Sequence, residues 1–158
     1  MTRSERRVRH RPGYTMVELV LVSTLLVTLA AVALPTSKYT VRRAKEIELR
    51  GSLRELRNAV DEFKRYSDAG LIAVERGTDG YPRELEMMVE GVDLVGQIGK
   101  QVRFLRRIPR DPMTGTYEWG LRSYQDDFDT TSWGGENVFD VYSQSEGVGL
   151  NGLPYREW

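Results

Sequence analysis

The sequence predicts an α+β protein. A long N-terminal helix, its first half apolar enough for a membrane and bent near Pro35, carries on its second half a head with a small antiparallel sheet. Three observations predict this. Met16 to Leu34 is a 19-residue run whose only charge is Glu18. Leu49, Leu53, Leu56, Val60 and Phe63 then recur at spacings of four, three, four and three, the stripe of one helical face. The last third holds short β-prone runs separated by turns.

At 158 residues the chain has room for one modest domain plus an anchor. Its net charge of zero is the sum of two unlike segments. Met1 to Gly13 holds Arg3, Arg6, Arg7, Arg9 and Arg11 against Glu5 and is +4, so the remainder is −4. Basic residues ahead of an apolar stretch stay on the cytoplasmic side, which places the C-terminal part across the membrane. The basic cluster is not continued by a basic patch or an aromatic platform, so nucleic acid is not the expected partner. There is no cysteine, which excludes disulfides, a thiol nucleophile and cysteine-based metal sites. The one histidine, His10, lies in the leader, so the commonest hydrolase and metalloenzyme designs have no imidazole in the rest of the chain. No enzymatic activity is expected.

As a helix, Met16 to Leu34 spans about 29 Å, close to the hydrocarbon thickness of a bilayer. Glu18 is then the puzzle, because a carboxylate inside the bilayer costs roughly 2.5–3.5 kcal/mol on insertion scales. A secretory signal peptide would be cut after Ala33, at the small-residue site Ala31-Val32-Ala33, releasing a binding domain or enzyme. A simple anchor explains the length but leaves Glu18 without a reason, unless it snorkels to the near interface.

Gly13-Tyr14-Thr15-Met16-Val17-Glu18 resembles the processing site of type IV pilins and pseudopilins: a glycine, an aromatic residue, Thr, two apolar residues and Glu. The resemblance implies cleavage between Gly13 and Tyr14 by a prepilin peptidase, which also methylates the new amine of Tyr14. It divides the chain into a cleaved leader (1–13), a transmembrane and assembly half of the helix (14–35) and a periplasmic head that includes the second half (36–158). Pro35 falls where the family often has a proline at a bend of its helix. The family's assembly model pairs the Glu18 carboxylate of one subunit with the Tyr14 amine of a neighbour, and a buried charge needs such a partner.

Beyond Pro35 the helix is expected to continue to about Ser67, roughly 80 Å from Tyr14. Asp68 to Gly80 reads as a loop. Arg83 to Glu90 reads as a short helix with Leu85, Met88 and Val89 inward, and VRFLRRIPRDP (102–112) as a loop or edge strand, because two prolines flank Arg110-Asp111. Strands are expected at Tyr117 to Trp119, Leu121 to Tyr124 and Val138 to Tyr142, with an irregular loop after Ser143. Trp158 is expected to pack back on the sheet, and Trp133 to serve turn packing or subunit contact.

In this order YPRELEMMV, LRRIPRDPMTG and FDVYS are similar to segments of the major pseudopilin of type II secretion, the G-type subunit. That similarity implies a filament-forming subunit of the bacterial inner membrane and periplasm that drives export of folded proteins. Its partners would be further copies of itself, minor pseudopilins, the inner-membrane platform with its ATPase, and an outer-membrane secretin. A type IV pilus subunit or a minor pseudopilin is the neighbouring alternative. Many G-type subunits bind Ca2+ in a C-terminal loop, where calcium takes six to eight oxygen ligands. Here Asp140, Ser143, Glu146 and Asn151 are the candidates, but GLNGLPYREW lacks the expected aspartates, and a solvated acidic turn is the competing account. Asp126, Asp127 and Asp129 do not form an EF-hand, since Ser132 stands where its glycine belongs.

Overall fold

A computed structural model describes residues 13–127 and 129–158, without the side chains of 32–38. The leader arginines and His10 lie outside the described residues, as do the side chains of Ala33 and Pro35, whose backbone is helical. The chain divides into two compact units at Val41 and Arg42.

The first unit holds the start of helix α1 (Met16–Asp68). Thr15 caps it: its hydroxyl oxygen accepts the Glu18 N–H at 3.2 Å, satisfying one of the four donors that a helix N-terminus leaves free. Its apolar side chains are exposed, from Met16 at 85% and Val17 at 75% to Leu25 at 57%. Among the described residues no helix is long and apolar enough to cross a membrane; the described side chains of the apolar run end at Ala31, three residues before Leu34.

The second unit is α+β, built on the rest of α1. The predicted stripe is its spine, with Leu49, Leu53, Leu56, Val60 and Phe63 all between 0 and 4% exposed. Each such side chain removed from water is worth about 1.5–3 kcal/mol, which is why this face is the one the chain folds over. The helix stops at Gly70, whose left-handed φ of 67° lets the Gly70 and Leu71 N–H groups turn back to the Ser67 and Tyr66 carbonyls.

Helix α2 (Glu86–Glu90) is shorter than the predicted 83–90. Leu85 and Met88 are buried as expected, and Val89 is half-buried. Strands β1 (Val92–Asp93) and β2 (Gln101–Val102) pair antiparallel, so VRFLRRIPRDP begins in an edge strand. Strands β3 (Gly120–Arg122) and β4 (Asp140–Tyr142) form a second antiparallel pair, Gly120 opposite Tyr142 and Arg122 opposite Asp140. Gly120 has no substitute in this register, because a Cβ there would lie 2.3 Å from the Tyr142 ring.

The sheet is therefore two hairpin-like pairs instead of one, and its strands are shorter than expected. Tyr117 to Trp119 forms no strand: the buried Trp119 donates its indole N–H to the Pro109 carbonyl at 2.9 Å. β3 ends before Tyr124 because side chains take over its donors. The Ser123 N–H goes to the Asp126 carboxylate and the Tyr124 N–H to the Asn137 side-chain oxygen.

Candidate functional site

The two units present different features. In the first, Gly13, Tyr14 and Thr15 precede the helix in non-helical, exposed backbone, and Tyr14 is 80% exposed. The backbone from Gly13 to Thr15 is thus uncoiled and open. Glu18 is exposed, one turn along, and makes no ion pair among the described residues. Met16, Val17, Val20, Leu21, Leu25 and two threonines line one shallow apolar face. Both hydroxyls are turned inward on the backbone, Thr24 to the Val20 carbonyl and Thr28 to the Leu25 carbonyl, each at 2.8 Å. The face therefore presents methyl groups and no unfilled donor.

In the second unit the polar side chains gather where the C-terminal segment meets α1. Asp140 on β4 lies between two guanidiniums, with Arg57 Nε 2.7 Å from one carboxylate oxygen and Arg122 Nη1 3.4 Å from the other. Arg57 also donates to the Trp158 carbonyl at 2.6 Å and Arg122 to the Arg156 carbonyl at 3.2 Å. The ionic hub thus ties the 3₁₀ turn Tyr155–Glu157 and its neighbours to α1 and β3. About one turn before Leu49, buried Glu46 accepts from the Tyr155 hydroxyl at 3.0 Å and the Leu150 N–H at 2.8 Å, beside Arg42. Trp158 packs against the core that includes Val141 of β4, its ring edge-on to Tyr155 and beneath the Arg50 guanidinium, 4.3 Å away. The cation over the indole face and the backbone oxygen held by Arg57 tie it to the helix as well.

Of the four calcium candidates, Ser143 and Glu146 line one cavity, together with Arg156, and Asp140 and Asn151 are not among its lining. Asp140 is occupied by arginines, and the buried Ser143 hydroxyl donates to Asp111 at 2.6 Å. Glu146 and Asn151 are exposed, with the Asn151 oxygen accepting from the Leu153 N–H. No group of three acidic, histidine or cysteine side chains is placed to hold a metal among the described residues. Asp126 closes its own loop by accepting from Ser123 and Gly134, and Trp133 donates to the Asn137 carbonyl at 2.8 Å, a turn-packing role.

Three structurally important acceptors were not singled out from the sequence. Glu46 had a readable signal, lying three residues before Leu49 on the apolar stripe. Asp111 and Asn137 had none, because the hydroxyls that donate to them, Ser143 to the Asp111 carboxylate and Ser123 to the Asn137 carbonyl, are distant in the chain. Away from this region Tyr81 stacks with Tyr124 and meets Phe139 edge-on. Burial raises the Tyr81 hydroxyl above its ordinary value, and the ion pair with Asp68 raises Lys64.

Together these features define a class: an α+β head whose charged side chains fasten its own C-terminal segment to a helix that also carries an exposed apolar stretch. No protein-family model, curated protein or solved structure matches the chain.

Proposed function

We propose that the chain is a structural subunit of the pseudopilin kind, inserted in the bacterial inner membrane by the first part of α1 and polymerised through it into a periplasmic filament that drives export of folded proteins. One observation carries this reading. A single helix has an apolar stripe buried under its own head, from Leu49 to Phe63, and another apolar stretch, from Met16 to Leu29, that the chain leaves bare. A monomer in water has no use for the second. A bilayer, and then the packed helices of a filament, would supply the missing apolar surroundings.

The cleavage site fits the same account. Cutting between Gly13 and Tyr14 would place a free amine one helical turn from Glu18. In a low-dielectric filament core, the Glu18 carboxylate of an incoming subunit is then matched to the Tyr14 amine of its neighbour. The secretion platform with its ATPase, minor pseudopilins, the secretin and the prepilin peptidase are the partners this function requires. The chain itself performs no chemistry. The test is assembly by Glu18→Leu and Glu18→Ala in the native membrane. Both variants are expected to insert normally and to yield at most about a tenth of the native filament, since an unmatched buried charge costs a few kcal/mol. Native filament yield from either would remove Glu18 from the mechanism.

A further inference from the structure

Arg43, Ile47, Arg50, Arg54 and Asn58 follow one another on α1 at spacings of four, three, four and four, so they share one stripe of the helix. Two adjoining concavities, of about 460 and 330 Å3, are lined by this stripe and by the segment 150–158, and share Arg50 and Asn151. Together they make a groove along the helix.

Its charges are unevenly satisfied. Arg57 is committed to Asp140, and Glu46 to Tyr155 and the Leu150 N–H. Arg43, Arg50 and Arg54 are exposed, and no carboxylate lies within ion-pair distance of any of them among the described residues. Between them Ile47 is 65% exposed, and Leu153 on the opposite wall 48%. The Trp158 indole N–H, on the same wall, is buried without an acceptor, which native proteins rarely leave so. The groove is therefore predominantly basic and partly apolar, with Glu157 the exposed carboxylate among its lining and the Trp158 N–H buried behind its wall.

The loop between β3 and β4 of the same head has the complementary character. Asp127, Asp129 and Glu136 are exposed and hold no ion pair among the described residues, and Trp133 is 39% exposed beside them. We propose that the groove is the docking surface for the β3–β4 loop of a second copy of this chain. The carboxylates meet Arg43, Arg50 and Arg54, and Trp133 meets Ile47 and Leu153. Groove and loop are different surfaces, so the contact is heterologous. Each copy that uses its groove still offers its loop, and such contacts propagate into an open filament unless they close a ring. The inference rests on the filament reading above and adds to it a head-to-head contact whose strength falls with salt.

The absence of native cysteine makes the test clean. The full chain in its native membrane carries Arg54→Cys and Asp127→Cys together and is treated with a short bifunctional thiol crosslinker. The expected product is a ladder of dimers, trimers and higher species, with neither single variant forming one. Native filament yield without a ladder overturns the docking contact and leaves the filament reading standing. If the unsubstituted chain itself yields no filament, both fall. A second experiment reverses charge. Arg50→Glu with Arg54→Glu should lower filament yield about tenfold or more, and adding Asp127→Arg with Asp129→Arg should restore it. Loss without restoration, in variants whose heads keep the native unfolding midpoint, overturns a second copy as the occupant and assigns the groove to a different acidic protein.

Discussion

Two stretches of α1 have similar apolar side chains and opposite fates. Leu49 to Phe63 is covered to within 4% of complete burial, while Leu19, Leu21, Leu25, Leu26 and Leu29 are 57–65% exposed. Composition does not separate them; what the chain lays over them does. The later stretch meets Val138, Val141, Met88 and Trp119, drawn from α2, the strands and their loops. The earlier one stays exposed in the described structure. An exposed leucine forgoes about 1.5–3 kcal/mol that burial would supply, so the earlier stretch can recover this only from surroundings outside the monomer. On the function proposed above, one helix would carry the instructions for two processes, folding and assembly, in successive segments.

The comparison can be broken most forcefully in the core. Leu56→Ala should cost the head about 2–5 kcal/mol, whereas Leu25→Ala should change head stability by less than about 0.5 kcal/mol. All three tryptophans, at 119, 133 and 158, lie in the second unit, so denaturant unfolding followed by their fluorescence in detergent reads the head alone. Equal losses from the two variants would show that both stretches are part of one folding core.

A smaller effect is expected where the head fastens its C-terminal segment. Glu46→Ala removes the acceptor of the Tyr155 hydroxyl and the Leu150 N–H, and should cost about 1–3 kcal/mol. Protease cleavage within 144–158 should become faster before global unfolding does, and an unchanged cleavage rate would deny Glu46 this role. The smallest effect is at alkaline pH. Burial raises the Tyr81 pKa above 10.0, with the nearby Lys64 opposing it and Tyr124, Asp61 and Asp68 adding to it. The folded head then holds this proton more tightly than the unfolded chain, so Tyr81 contributes fully below pH 10.0 and its share is lost as pH rises through the folded value. Tyr81→Phe should flatten the decline of the unfolding midpoint in that range, and an unchanged slope would show that Tyr81 does not contribute.

The buried stripe was legible in the sequence because a 3.6-residue period records which side of a helix is covered. The strands were legible only in part. β1 and β2 have two residues each, too few to show alternation, and the ends of β3 depend on Asp126 and Asn137 capturing backbone donors. Tertiary polar contacts were the least legible. Ser143 faces Asp111 across 32 residues of sequence, and Asp140 faces arginines from α1 and β3. Of the candidates for calcium, Asp140 is thus engaged by the protein's own arginines. Glu18 stands out in the sequence for the opposite reason, as a charge near the start of an apolar run, and its role with Tyr14 rests on the function proposed above.

The measurement that tests the account most directly is intact-mass and N-terminal peptide mass spectrometry of the protein recovered from its native membrane. The account predicts a chain beginning at Tyr14 with a methyl group on its amine, and with the Met16 to Leu34 segment retained. A chain beginning at Leu34, after the Ala31-Val32-Ala33 site, would contradict it: the exposed apolar stretch would then be a discarded signal, Glu18 would have no assembly role, and the head would act alone as a released domain.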